Sequence, residues 1–119
     1  MAFRSFEDLD VWKRGCGLAV FVYECLAANR DFGIRDQMQR SAVSIPSNIA
    51  EGHERSSKDF ARFLTIAKGS SAELRTQAYI AAKVGIISIE QMNHIVDETK
   101  QLSRMMQALA KIAKSKTEN

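Results

Sequence analysis

The fold is decided by the stretch Ser44-Ile45-Pro46-Ser47-Asn48-Ile49-Ala50-Glu51-Gly52, the centre of a segment that spans residues 33–55. Apolar side chains recur in this segment at helical spacing: Met38, Ala42, Ile45 and Ile49. The pattern predicts an amphipathic helix with one face in a hydrophobic core. Pro46, the only proline of the chain, lies inside the pattern. It has no N–H for the carbonyl of Ala42 and crowds it, so we predict that the helix continues with a kink.

A second set of side chains forms a polar ladder on another side of the same helix, within an arc of roughly 80° at about 100° per residue. Its members are Gln37, Arg40, Ser44, Asn48, Glu51 and Arg55. One interpretation is an internal network with helix 3, in which Glu73 lies near Arg40 or Asn48 and the small residues Gly69 and Ser70 permit a close approach. The other interpretation is a contact surface for a ligand or RNA.

The composition indicates one domain, residues 1–119, built from a few long helices. Hydrophobic residues make up 45% of the chain and charged residues 26%, and six glycines leave little material for turns. The longest apolar run, residues 18–23, is too short to span a bilayer, and residues 1–8 lack the apolar core of a signal peptide. We therefore expect a cytoplasmic protein without a membrane partner. Cys16 and Cys25 suit such a reducing compartment.

Four helices are predicted, over about residues 8–28, 34–52, 57–84 and 89–113, with residues 114–119 frayed. Asp8, Ser56 and Ser88 are the predicted N-caps, and Gln91 completes a capping box with Ser88. The core faces of helices 3 and 4 are Phe60, Phe63, Ala67, Leu74, Ala78 and Ala81, and Met92, Val96, Thr99, Leu102, Met106, Leu109 and Ala113. Because the connections are short, we expect an all-α, up-and-down antiparallel four-helix bundle with helix 2 kinked at Pro46.

Helix 1 carries two apolar lines, about 120° apart. The first line, with the spacing of a bundle seam, is Leu9, Trp12, Cys16, Ala19, Tyr23 and Leu26. The second line is Val11, Leu18, Val22 and Cys25. One line is enough for the core of a single chain, so we expect the bundle to self-associate through the second. A broad core face is the alternative.

No catalytic motif is present. The chain has no phosphate-cradling glycine loop, no HExxH and no Cys/His metal spacing. The pairs Glu51–His53 and Glu90–His94 each miss the Glu-x-x-His spacing of ferritin-like bundles by one residue. We expect both histidines to be solvated at helix ends. The sequence therefore predicts no enzymatic activity, no catalytic residue, no metal and no cofactor.

The positive charge of the chain belongs to its C-terminal end. Residues 1–99 carry 12 Lys and Arg against 13 Asp and Glu, whereas residues 100–119 carry five Lys and Arg against one Glu. Four of these cations project from one side of helix 4, within roughly 80°: Lys100, Arg104, Lys111 and Lys114. They are either a solvated face that complements the dipole of the helix C-terminus or a set of phosphate contacts.

The sequence resembles a known family in three stretches. The most specific is Gln37-x-x-Arg40-x-x-x-Ser44-Ile45-Pro46-x-Asn48-Ile49-Ala50-Glu51-Gly52-x-x-Arg55. The others are Phe6-x-x-Leu9-x-Val11-Trp12 and Phe63-Leu64-x-Ile66-Ala67-x-Gly69-Ser70-x-x-Glu73-Leu74. The family is the four-helix-bundle family named for the intervening sequences of 23S ribosomal RNA genes. The resemblance implies a homopentamer without established enzymatic activity. A related bundle, the accessory protein of diversity-generating retroelements, binds nucleic acid and a reverse transcriptase.

Two functions agree with these observations. The first is a non-enzymatic oligomer that associates with RNA or another nucleic acid through helix 4. The second is a structural or adaptor oligomer that recruits a protein partner without binding nucleic acid. Salt dependence separates them, because only phosphate contacts weaken steeply as salt increases.

Overall fold

Four helices and a short 3-10 turn account for nearly all of residues 5–118, the part of the chain that the computed structural model describes. The 3-10 turn is Phe6–Asp8, and the helices are α1 (Asp10–Leu26), α2 (Phe32–His53), α3 (Ser57–Lys83) and α4 (Ile89–Glu118). Consecutive helices pack together and α4 returns to α1. In this part of the chain α1 and α3 do not approach each other closely, nor do α2 and α4, so these two pairs form the diagonals of a square. The predicted all-α four-helix bundle is confirmed.

Contacts between neighbouring helices show that they run antiparallel. Ser41 and Ser44 of α2 meet Glu73 and Ser70 of α3, so position increases on one helix as it decreases on the other. The same order holds between α3 and α4 and between α1 and α4. Among residues 5–118, none of the helices combines the length and the apolar character that crossing a bilayer requires.

Two of the three predicted N-caps are confirmed. The Ser56 hydroxyl accepts a hydrogen bond from the Asp59 N–H at 3.2 Å. Ser88 and Gln91 form the reciprocal capping box, with N–H to side-chain oxygen distances of 3.0 and 2.9 Å. The third prediction is wrong. Asp8 ends the 3-10 turn, and Leu9 occupies the cap position of α1 without a side-chain hydrogen bond.

Helix α2 begins two residues earlier than predicted, because Asp31 caps it by accepting a hydrogen bond from the Ile34 N–H at 3.3 Å. Helix α4 continues to Glu118 rather than ending near residue 113. Its last turns still contribute to the core through Ala113, which is 4% exposed. The positive charges of the lysines in these turns also interact favourably with the negative C-terminal end of the helix dipole. Of the segment predicted to fray, Asn119 lies outside the described residues.

The apolar stripe of α2 forms the centre of the core. All four of its residues, Met38, Ala42, Ile45 and Ile49, are at most 1% exposed. Pro46 is buried inside the continuous helix α2, as the sequence predicts, while the kink stays a prediction. Gly15 of α1 packs there, since a Cβ added to it would lie 3.5 Å from the Pro46 ring.

The second apolar line of helix 1 is part of the core of the single chain. Val11, Leu18 and Val22 are at most 2% exposed, whereas Tyr23 of the first line is 47% exposed. The physical reason is that α1 contacts both α2 and α4, so its buried arc is broad. The expected self-association through this line is therefore wrong, and any interface between copies has to use other residues.

Candidate nucleic-acid interface

The four cations predicted on helix 4 form an exposed surface that we call the basic face: Lys100, Arg104, Lys111 and Lys114. Within residues 5–116, no carboxylate lies within 4.0 Å of any of them, as is the case for most cations of these residues. The cations with such a partner are Arg14, Arg35, Arg55 and Arg62. What distinguishes the basic face is that its four cations lie on one side of one helix. A solvated face could carry these charges, but a face without counter-ions also presents them fully to an incoming anion.

The acid of α4 nearest to the basic face in sequence is turned away from it. Glu98 forms a bidentate ion pair with Arg14 of α1, at 2.8 and 2.9 Å, and the same guanidinium donates to Gln101 at 2.7 Å. The hydrogen bond with Glu98 is the largest of the interactions that raise the pKa of Arg14. This pair joins α1 to α4 and neutralises Glu98, so that this carboxylate does not offset the basic face.

A further cation reaches the basic face from α3. Lys68 donates a hydrogen bond from Nζ to Oε1 of Gln107 at 2.9 Å. Together these residues border a groove of about 300 Å³ between α3 and α4. We call it the α3–α4 groove; it is lined by Leu64, Thr65, Lys68, Met106, Gln107, Ala110, Lys111 and Lys114. The structure thus brings Lys111 and Lys114 together around a cavity, while Lys100 and Arg104 lie outside its lining.

The polar ladder of α2 divides into a partly buried centre and exposed ends. Asn48 donates from Nδ2 to the carbonyl and the hydroxyl of Ser44, at 2.8 and 2.9 Å, and the Ser44 hydroxyl lies 2.9 Å from that of Ser70. This centre joins α2 to α3. The ends are exposed: Gln37, Arg40, Glu51 and Arg55. Arg55 pairs with Glu51 within its own helix, at 3.1 Å.

Glu73 has a different partner from the one expected. Its Oε1 lies 2.8 Å from the hydroxyl of Ser41, a residue that is 2% exposed and was not assigned to the ladder. None of the ion pairs among residues 5–116 joins Glu73 to Arg40. The Ser41 hydroxyl also lies 3.0 Å from the carbonyl oxygen of Gln37, so it keeps an acceptor without Glu73.

We predict that Glu73→Ala lowers the free energy of unfolding by about 1–2 kcal/mol, because an exposed carboxylate loses one hydrogen bond from a hydroxyl that keeps a second acceptor. A buried ion pair would instead cost about 3–5 kcal/mol. Urea denaturation followed by circular dichroism measures the difference. Glu54→Ala, at an exposed position without an ion pair among the described residues, is the control. A loss of 3 kcal/mol or more at Glu73 would contradict the assigned contact.

Groups that could support catalysis are scattered over the structure. Among the described residues, no group of three or more His, Cys, Asp or Glu side chains could hold a metal ion. His53 packs edge-on against Phe60 and His94 lies against Phe21, with centroids 5.5 and 4.3 Å apart. Burial raises the pKa of the Cys16 and Cys25 thiols, which disfavours the reactive thiolate.

Comparison with known proteins places the chain among bundles of the same architecture. Residues 7–108 match the family model described as 23S rRNA-intervening sequence protein. The fold is similar to that of a protein of unknown function from the S23 ribosomal protein family of Bacteroides thetaiotaomicron VPI-5482. The two share 24% sequence identity and a TM-score of 0.79, over 85% of this chain and 98% of that one. No curated protein is significantly similar in sequence. Because the family model covers most of the chain, the protein belongs to the 23S rRNA-intervening sequence protein family.

Proposed function

We propose that the protein is a non-enzymatic cytoplasmic homo-oligomer that associates with RNA through the basic face of α4. The observation that supports this function is the set of four exposed cations without a carboxylate within 4.0 Å among residues 5–116. Such a surface attracts the phosphate backbone and releases counter-ions when it binds. The family resemblance implies a relation to the accessory protein of diversity-generating retroelements, and nucleic-acid binding by that bundle agrees with the proposed activity.

Self-association makes weak phosphate contacts effective. Four cations on one chain bind RNA weakly at physiological salt, but in a symmetric oligomer the basic face repeats. Once one copy has bound, the other copies meet the same RNA at a high effective concentration. The family resemblance implies a homopentamer, so we propose five copies.

Two exposed apolar patches on opposite sides of the bundle can form the interface between copies. The α1–α2 patch is lined by Ala19, Val20, Tyr23, Glu24, Ala27 and Val43. The α3–α4 patch is lined by Tyr79, Ile80, Ala82, Lys83, Val84, Ile89 and Met92. Each lining is apolar except for one charged residue. Single exposed apolar residues are ordinary, but two apolar clusters are typical of interaction surfaces. Val20, Ile80, Val84 and Ile89 are each more than half exposed.

The two patches lie at the same level along the bundle. Both are near the end where α1 and α3 finish, because these diagonal helices point the same way. A head-to-tail contact between the patches therefore needs no shift along the long axis. It closes into a ring when it also turns each copy about that axis, whereas a contact without such a turn continues as an open row.

We predict that Val20→Asp and Ile80→Asp each dissociate the oligomer while the chain stays folded. Each variant keeps one intact patch, and the two intact patches are complementary. An equimolar mixture should therefore form a one-to-one heterodimer, which light scattering detects as twice the mass of one 13.3 kDa chain. A parent protein that is monomeric at micromolar concentration would contradict self-association. A mixture that stays monomeric would contradict the head-to-tail interface.

We further predict that a triple variant, with Lys100, Arg104 and Lys111 replaced by glutamine, loses RNA binding about equally for all sequences. If each replaced cation contacts one phosphate, the slope of log K against log salt should fall by about 2 for each engaged copy on single-stranded RNA. Fluorescence anisotropy of labelled RNA over a salt series measures the slope. Because all three side chains are exposed, the melting temperature should stay close to that of the parent.

The control replaces Lys13, Arg30 and Arg40 by glutamine, which removes the same charge from exposed positions off α4. It should retain RNA like the parent. If this control loses RNA and the α4 variant does not, the contact surface lies elsewhere, with Arg40 of the polar ladder included. If the parent binds no RNA at about 50 mM salt, where phosphate contacts are strong, the proposed function is wrong and the protein-recruiting oligomer is favoured.

A further inference from the structure

We infer that the α3–α4 groove is a subsite for one nucleotide of single-stranded RNA, with its phosphate on Lys68, Lys111 and Lys114 and its base or ribose on the apolar floor. The inference rests on the proposed function and makes it more specific: α3 also contributes to the binding site, the site includes a cavity, and the RNA it binds is single-stranded. Lys68 of α3, which the periodicity of helix 4 does not reveal, is central to it.

The floor of the groove is closed from below by core side chains. Leu64 and Met106 are 0% exposed and lie beneath the surface of the floor. The apolar surface that a bound group can touch is that of Ala110, which is 9% exposed, and of the aliphatic stems of the lining lysines. A volume of about 300 Å³ lies at the lower end of the range of small-ligand pockets. The groove can therefore take a group of the size of a nucleobase or ribose, but not a folded structure.

The rim of the groove is polar and positive. Lys68 comes from α3, whereas Lys111 and Lys114 come from α4, so cations from two helices lie around one opening. Lys68 donates a hydrogen bond to the side-chain oxygen of Gln107 at 2.9 Å. Because this acceptor is neutral, it leaves the positive charge of Lys68 uncompensated. No carboxylate of residues 5–116 lies within 4.0 Å of the three amines. A cleft lined by one sign of charge concentrates counter-ions, and phosphate is the anion that RNA supplies.

An apolar floor beneath a positive rim favours an unpaired strand over a duplex. In a duplex the bases are stacked inside, and the outside offers phosphates and 2′-hydroxyls. An unpaired nucleotide can turn its base or ribose onto the floor while its phosphate stays at the rim. A flat basic surface would bind either form, so preference for a single strand is what distinguishes the groove from the basic face alone.

The first test removes one charge. Lys68→Gln should weaken binding of a labelled oligouridine by about fivefold for each engaged copy at about 0.1 M salt, because one phosphate contact on a single strand changes the slope by about 0.7. Lys13→Gln, the same change at an exposed position on α1, should leave binding unchanged. An equal loss of affinity in Lys13→Gln and Lys68→Gln would overturn the inference, since it would show that RNA binding depends on total charge and not on a cation at the groove.

The second test fills the cavity without changing the charge. Thr65 lines the groove, and Thr65→Leu should weaken oligouridine binding severalfold while binding of a blunt-ended RNA duplex with the same number of phosphates stays unchanged. Thr76→Leu is the matched control, because both threonines are exposed on α3 and donate to the carbonyl four residues earlier. Thermal unfolding of each variant ensures that only folded protein is compared.

The outcomes separate the inference from the proposed function. A parent that binds duplex and oligouridine equally, with no effect of Thr65→Leu, would overturn the inference and leave RNA binding through the basic face intact. A parent that binds neither RNA would overturn both. Preference for oligouridine, together with the losses expected at Lys68 and Thr65, would support the subsite.

Discussion

Val22→Asp is expected to unfold the bundle. Val22 is 0% exposed and lies in the core formed by all four helices. An aspartate there is either charged without a partner or protonated without a full set of hydrogen bonds, and both cost several kcal/mol. A loss of about 4–5 kcal/mol or more is comparable with the whole stability of a small domain, about 5–15 kcal/mol. Circular dichroism at 25 °C and a urea titration would show the loss of helix and the lowered midpoint.

Val20→Asp is the matched control, because it places the same charge two residues earlier on the same helix. Val20 is 58% exposed, so the free energy of unfolding of the single chain should stay within about 0.5 kcal/mol of the parent. The two variants therefore separate folding from association: one unfolds the chain and the other acts between chains. A Val22→Asp protein that is folded, stable and merely dissociated would show that the second apolar line is an interface after all.

Gly52→Ala should destabilise the protein although alanine favours helix. A Cβ at this position would lie 2.5 Å from the Cβ of Phe63 and 3.3 Å from Cδ1 of Phe60. The Phe63 Cβ is attached to the backbone of α3, so α2 and α3 have to separate at this position. Overpacking of this kind costs about 1–3 kcal/mol, offset by about 1 kcal/mol of helix propensity. We expect a net loss of about 1–2 kcal/mol in urea denaturation.

Gly69→Ala and Gly17→Ala are its controls, since an added Cβ meets nothing within 4 Å at either position. Both should gain about 0.5–1 kcal/mol from helix propensity and from a less flexible unfolded chain. A gain at Gly52 equal to that at Gly69 would mean that the two helices are not in close contact at Gly52. The sequence-based expectation of a close approach at Gly69 is wrong, because Gly69 faces open space.

Local patterns in the sequence predict the helices well. The steps of three and four between apolar residues predicted α2, α3 and α4, and the caps at Ser56 and Ser88 predicted where two of them begin. These features depend on residues within one or two turns of each other. Asp8 does not cap α1, because a 3-10 turn precedes this helix and ends at Asp8. So short a turn produces no periodic pattern of apolar residues in the sequence from which it could be predicted.

Features that depend on contacts between helices could not be predicted in the same way. The sequence spacing of Val22 is the same whether its side chain faces a neighbouring helix or a second chain. Only the packing of α1 against both α2 and α4 shows that it faces the core of its own chain. The candidate site shows the same limit. Lys111 and Lys114 follow from the pattern of one helix, whereas Lys68 joins them only once the register of α3 against α4 is known. Ser41 was missed because its position lies between the apolar stripe and the polar ladder.

The unequal lengths of α1 and α4 have a consequence for amide hydrogen exchange. At 1.5 Å per residue, the 17 residues of α1 span about 26 Å and the 30 residues of α4 about 45 Å. Arg14 lies four residues after the start of α1 and pairs with Glu98, so the turns of α4 beyond about residue 102 pass the start of α1, and Ile112 is 54% exposed there. Segments with fewer packed neighbours open at lower free energy, so amides in the last of these turns should exchange well before those near Ile95. RNA held between Lys68, Lys111 and Lys114 would fasten this end to α3, and slower exchange would then appear first in the last turns of α4.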